Sequence, residues 1–146
     1  NWEAATDAPA TRLRGDLDIM PQIAEAGLCL AAKDISQGGI VGTAIMLAEC
    51  SGVGIDIDVT AIPLPSGVSL HRWLATFPSF GYLRSVAPEN VDAVLGRFAT
   101  RNISAAAIGS VLPGSVVAIT DGLSRIVILD HAISPLMQLG PTEHFR

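Results

Sequence analysis

The sequence predicts an α/β fold, in the α+β sense of a mixed β-sheet layered with helices. Three observations carry this. Short strand-like runs alternate with helical patterns early in the chain, an order that produces sheets covered by helices. After Pro88, the apolar residues Val91, Val94, Leu95 and Phe98 fall at the i, i+3, i+4, i+7 spacing of an amphipathic helix. Near the end, two apolar runs flank Asp121-Gly122, a pair that favours a tight reversal and hence a hairpin.

Taken in order, residues 1–15 are polar, contain Pro9 and Gly15, and read as an incoming interdomain linker. Asp16 or Asp18 can cap a helix through Leu17, Met20, Ile23, Ala24 and Leu28, with Pro21 tolerated in its first turn and Gly27 closing it. A strand over 30–35 follows. The next helix starts at Gly38-Gly39, runs to about Cys50 and ends at Ser51-Gly52. It is apolar nearly all round, with Glu49 its only charge, and so should be buried on more than one side. As part of an apolar joint, it is also expected to make the chain self-associate.

A strand over 54–59 alternates Ile55, Ile57 and Val59 with Asp56 and Asp58. The two aspartates read as the wet face of that strand, since no third metal ligand lies nearby in sequence. Pro63 and Pro65 break the chain, and Ser69 can cap a short helix containing His71, Arg72, Trp73 and Leu74. Strands are expected over 80–86, 105–111, 116–119 and 125–129, the last two forming the hairpin, and the tail 131–146 reads as irregular. The domain proper is therefore 16–130.

At 146 residues the chain has the length of one ordinary domain. Hydrophobic residues make up 49% and charged ones 16%, which implies a large covered surface facing another domain or subunit. No apolar run approaches the roughly 20 residues that span a bilayer, so no membrane partner is expected. The net charge of −5, the single lysine Lys33 and the scattered arginines exclude a nucleic-acid footprint. Cys29 and Cys50 lack metal spacing and read as buried thiols in a reducing compartment. With no secretory leader pattern, the expected location is cytoplasmic. His71, His131 and His144 form neither a triad nor a zinc pattern, and no Walker or dinucleotide-binding loop is present. Because the chain begins with Asn1, it is expected to be a fragment of a longer protein.

The richest segment chemically is Lys33-Asp34-Ile35-Ser36-Gln37-Gly38-Gly39. Period two puts Asp34 and Ser36 on one face of the strand and Lys33 and Ile35 on the other. A helix starting on two glycines presents unpaired N–H groups and the positive end of its dipole, a natural place for phosphate. Asp34, Ser36 and the amides of Gln37, Gly38 and Gly39 would then share one corner, which suits a metal-bound phosphate or substrate. The competing reading gives Asp34 or Ser36 the role of an N-cap and the glycines a packing role.

Over 16–119 the order of segments resembles the C-terminal domain of the aminoimidazole ribonucleotide synthetase superfamily. Its members include thiamine-monophosphate kinase, selenophosphate synthetase, formylglycinamide ribonucleotide amidotransferase and a hydrogenase-maturation dehydratase. The likeness rests on the 33–39 motif, Ser51-Gly52-Val53-Gly54-Ile55-Asp56-Ile57-Asp58, Ile62-Pro63, Thr76-Phe77-Pro78-Ser79-Phe80-Gly81, Ala87-Pro88-Glu89-Asn90-Val91 and Ile108-Gly109-Ser110-Val111. It is nearest to the branch called synthetase-related proteins.

The resemblance implies a fold with partly ferredoxin-like topology and a role in ATP-dependent phosphoryl transfer, with Asp34 as the catalytic and metal-binding carboxylate and Ser36, Gln37, Gly38 and Gly39 holding phosphate or substrate. It also implies ATP and Mg²⁺ bound largely by the chain's own N-terminal domain, a homodimer and a small anionic substrate. None of these ligands is expected to bind this fragment tightly. Two departures narrow the activity. The synthetase's Phe-Asn-x-Gly-x-Gly is replaced by the segment from Phe77 to Leu83, and the acidic residue after the kinase branch's serine is Gln37. The alternative is a non-catalytic small-molecule-binding or regulatory α/β domain that keeps the fold without the chemistry.

Overall fold

The computed structural model describes residues 6–78 and 80–138. Its first two helices, α1 (Ala10–Leu17) and α2 (Ile19–Glu25), abut at Asp18, which stays in the right-handed helical region. Ala10 to Gly15, within the stretch read as linker, are thus helical. Neither expected aspartate cap forms: Asp18 makes no side-chain cap bond, and Asp16 lies inside α1. Asp16 is instead a buried anchor. Its carboxylate accepts from Arg12 Nε and from Arg101 Nε, each at 2.9 Å. Arg12 also donates to the Arg101 carbonyl at 2.9 Å, so α1 is tied to the segment that follows the last helix.

The strand at 31–34, β1 (Ala31–Asp34), pairs antiparallel with β3 (Tyr82–Ser85) as a two-stranded ribbon, with Ala32 opposite Arg84 and Asp34 opposite Tyr82. The amphipathic pattern after Pro88 forms a turn of 3-10 helix and then α5 (Val91–Ala99). Val94 and Phe98 of α5 bury against Ile19 and Ile23 of α2, giving one of three apolar clusters among the described residues.

The other two clusters flank α3 (Gly39–Ser51). Ile40 and Ala44 pack on Ile57 and Ile62, while Ile45 and Ala48 pack on Val117. Both Ile57 and Val117 belong to a four-stranded mixed sheet whose strands lie in the order Gly109–Leu112 (β4), Gly54–Asp58 (β2), Val116–Thr120 (β5), Arg125–Asp130 (β6). In it, β2 runs parallel to β5 and antiparallel to β4, and β6 closes the expected hairpin on β5. The strand expected over 105–111 begins only at Gly109. Asp56 is held by a two-point contact from Arg125, at 2.8 and 2.6 Å, and Asp58 accepts from the Thr60 amide and hydroxyl. The wet-face reading of these aspartates is the observed one. Ser69 caps α4 (Leu70–Leu74) through the Arg72 amide.

The apolar helix α3 is covered largely by its own sheet, which corrects its expected part in an exposed joint. Exposed apolar side chains lie elsewhere, at Val111, Leu123, Ile126 and Val127 among others. Glu49 is only 2% exposed. Its carboxylate accepts the Leu136 and Met137 amides, pinning the segment after β6 to the end of α3. Residues 131–138 carry neither helix nor strand, and 139–146 lie outside the described residues. Cys29 and Cys50 are half-buried rather than sealed in the core.

Burial pushes the Asp16 carboxyl up, but the hydrogen bonds and charges of Arg12 and Arg101 outweigh it and hold it below its ordinary value of 3.8. A depressed carboxyl contributes stability above the unfolded value, and that contribution is lost as the pH falls through the lower folded value. Asp16→Asn should therefore lower the melting temperature near pH 7 but change it much less once the acid has passed below the lowered folded value. Equal losses at both pH values, measured by thermal melts, would show that the carboxylate charge is not what ties α1 down.

Candidate functional site

Ile35 continues the ribbon by one residue, donating its amide to the Gly81 carbonyl at 2.9 Å, and its side chain enters the α3 core cluster. The turn into α3 then begins at Ser36. The Ser36 amide donates to Thr43 Oγ1 at 3.1 Å, and the Ser36 carbonyl accepts from the Gly39 amide at 2.9 Å. The first helical bond runs from the Gly42 amide to the Gly38 carbonyl. Gly38 occupies the N-cap position and has no side-chain cap. The capping reading of Asp34 and Ser36 therefore fails: neither side chain satisfies the start of this helix.

Of the three amides expected to be free, Gly39 is excluded, because its N–H is spent on Ser36 and the residue is buried. Gln37 and Gly38 remain exposed, and their amides make no hydrogen bond among the described residues. A helix of 13 residues stands behind them and points its positive end outward.

Gly39 itself serves packing. Its φ of +63° lies in the left-handed region, and a Cβ there would run into the Leu74 carbonyl at the end of α4. The two glycines thus divide the roles that the sequence offered as alternatives.

Asp34, at the end of β1, has a side chain 66% exposed and a contact with Lys33 Nζ at 3.3 Å. Exposure makes this pair weak. Ser36 is half-buried and acts through its backbone in the turn. Thr43, fully buried, is the residue that sequence reading missed here. It resembles any small polar residue inside an apolar helix, and only the fold reveals that it holds the turn. No group of three or more His, Cys, Asp or Glu that could hold a metal occurs among the described residues. Asp34 would be a single carboxylate donor, and an ion there would need its other oxygens from phosphate or water, the usual habit of Mg²⁺.

The family described as AIR synthase related protein, C-terminal domain, matches residues 5–122. This chain belongs to that family. An uncharacterised protein of Synechocystis is 40% identical over 135 residues, covering 92% of this chain and 42% of that protein. The chain thus spans well under half the length of that relative. Among solved structures, PurL of Thermotoga maritima complexed with ATP superposes with a TM-score of 0.72 at 12% identity, over 85% of this chain and 22% of that one. HypE, a hydrogenase maturation protein of Escherichia coli, gives 0.66 at 19% identity, over 77% of this chain and 39% of that one. At such identities these likenesses establish the fold: a mixed sheet with helices, as found in the C-terminal domain of that family. No helix among the described residues is long and apolar enough to cross a membrane.

The left-handed backbone at Gly39 makes its replacement costly. Gly39→Ala should destabilise by about 1–3 kcal/mol from backbone strain alone, with the Leu74 collision adding to it. Gly42→Ala, with open space around the added methyl, is the control. Urea unfolding of both checks this, and equal midpoints would show that the close seat of α3 on α4 is not a constraint.

Proposed function

We propose that this chain is the C-terminal domain of an ATP-dependent synthetase or kinase-like enzyme, and that it presents the start of α3 to a phosphate group in a phosphoryl-transfer site. The observation that carries this reading is the pair of exposed, unspent amides at Gln37 and Gly38, beside the exposed Asp34 carboxylate. Phosphoryl transfer needs mainly positioning and charge neutralisation. Backbone amides and a helix terminus stabilise a phosphate without reorganising during reaction. Two details change from the sequence expectation. Gly39 contributes the turn rather than an N–H, and Ser36 shapes the turn through its amide and carbonyl.

The PurL structures solved with ATP and with ADP support nucleotide use within this family. In the proposed reading, ATP and Mg²⁺ are held mostly by an N-terminal domain of the full-length protein, which also forms a homodimer. The substrate is small and anionic, the setting cytoplasmic. The proposed division keeps 1–15 as the connection to a preceding domain, with its residues from Ala10 folded into α1, 16–130 as the domain and 131–146 as the tail. When bound, Mg²⁺ would neutralise phosphate charge, and Asp34 is the carboxylate this chain offers it. Without the rest of the enzyme, the chain is not expected to hold ATP tightly.

The site makes Asp34 dispensable for folding. In the full-length protein, Asp34→Asn should abolish substrate-dependent ATP consumption while shifting the melting temperature by no more than a few degrees. Intact turnover with a large stability loss would remove Asp34 from the site.

Titrating inorganic phosphate into the 146-residue chain should move the amide resonances of Gln37 and Gly38 saturably, and that of Gly39 less. A Gly39 shift as large as theirs, or no shift at all, contradicts the proposed division of labour.

A further inference from the structure

The ribbon of β1 and β3 carries a charge that the reading above does not use. Arg84 lies on β3, on the face it shares with Tyr82 and, across the ribbon, with Ala32 and Asp34. Its guanidinium touches sulfur and an aromatic ring. Nη1 is 3.4 Å from Cys29 Sγ, Nη2 rests against Met20 Sδ, and the Tyr82 ring centroid is 5.9 Å from Cζ. Nε is buried and has no hydrogen-bond partner among the described residues. Thiols and thioethers are weak acceptors, and a tyrosine ring supplies only part of what an anion would.

Three other arginines among the described residues are ion-paired. Arg12 and Arg101 close on the buried Asp16, and Arg125 closes on Asp56. Arg84 meets no carboxylate within ion-pair distance among the described residues. Asp34, its diagonal neighbour on the ribbon face, contacts Lys33 instead. A guanidinium drawn out of water without a counter-charge costs more than sulfur contacts return. A buried, unpaired donor of this kind calls for a group that completes it. Arg84 as a whole is half-buried rather than sealed in.

We infer that Arg84 anchors an oxyanion-binding site on the Asp34–Tyr82–Arg84 face of the ribbon, where its guanidinium takes a phosphate or carboxylate group of a small ligand. The planar fork suits both groups through paired N–H donors. Calling that ligand the substrate rests on the proposed phosphoryl-transfer reading, with Asp34 and the Gln37–Gly38 amides at one end and Arg84 fixing a second anionic group. The oxyanion site itself does not need that reading.

The test uses the isotope-labelled 146-residue chain and follows the side-chain Nε–Hε resonance of Arg84. Inorganic phosphate and acetate are titrated separately against chloride at equal ionic strength. Phosphate or acetate should move the resonance saturably, with a Kd on the order of 1 mM, and the more effective anion identifies the class. Arg84→Met should remove the effect while leaving the chain folded, since its neighbours are sulfur and aromatic. Arg84→Lys should weaken binding about tenfold, the loss of one charge-assisted hydrogen bond.

A resonance that moves with neither anion, or equally with chloride, overturns the site. So does a large stability loss in Arg84→Met with no anion response in the parent chain. The amides of Gln37 and Gly38 report separately in the same spectra. Movement there without movement at Arg84 ends the arginine site and leaves the helix-terminus reading standing. Arg84 moving alone does the reverse.

Discussion

The left-handed entry into α3 at Gly39 is the constraint on which most of this structure depends. Because the chain turns there against the Leu74 carbonyl, α3 can seat directly on the end of α4. That seat fixes the direction of a helix whose two apolar sides must both find partners. One side meets Ile57 and Ile62, the other Val117 and Leu129. A Cβ at this point would push the helix away, and both clusters would open together. The same turn spends the Gly39 amide internally and leaves those of Gln37 and Gly38 facing outward. Packing and the candidate chemistry therefore arise from adjacent residues with opposite burial.

With few aromatic residues, the interior relies on small aliphatic side chains and on a few buried polar groups that reach far along the chain. Asp16 is joined to Arg101 across 85 positions, and Glu49 to Leu136 across 87. Each is satisfied, so each acts as a tie between distant segments rather than as an uncompensated charge. Thr43 does the same over a shorter span, holding the Ser36 amide from within the helix. Against this habit the unpaired Nε of Arg84 stands out. Among the described residues the other buried side-chain polar atoms are completed internally, and in the proposed reading this one is completed from outside.

What could be read from the sequence was what local periodicity controls. The buried helix from Gly39, the alternating strand at 54–58, the hairpin and the helix after Pro88 all follow from the spacing of apolar residues and the turn chemistry between them. Family membership was legible too, from the order of several modest motifs. Hidden were the features set by a distant partner. Asp16 looked like a cap because capping is a local habit of aspartate, but two arginines made it an anchor. Glu49 looked like a stray charge on an apolar helix until the segment after β6 supplied its amides. At the candidate site, period two correctly exposed Asp34. No sequence rule says which of two successive glycines will turn left-handed, and that choice decided which amides remained free.

The division of roles between Gly38 and Gly39 also bears on how such a site can be completed. Amides at a helix start are fixed by the helix itself and need no side chain to aim them. They hold a phosphate but contribute little to distinguishing one substrate from another. Discrimination requires side chains, and on this face of the molecule those are Asp34, Tyr82 and Arg84 on the ribbon. The ribbon shares no strand pairing with the four-stranded sheet, and the turn at Ser36–Gly39 leads from it into α3. Substitutions on its outward face therefore leave the contacts between α3 and the sheet intact. In the proposed arrangement packing holds the glycine turn, and with it the phosphate cradle, constant, while substrate preference would be set on the two short strands beside it.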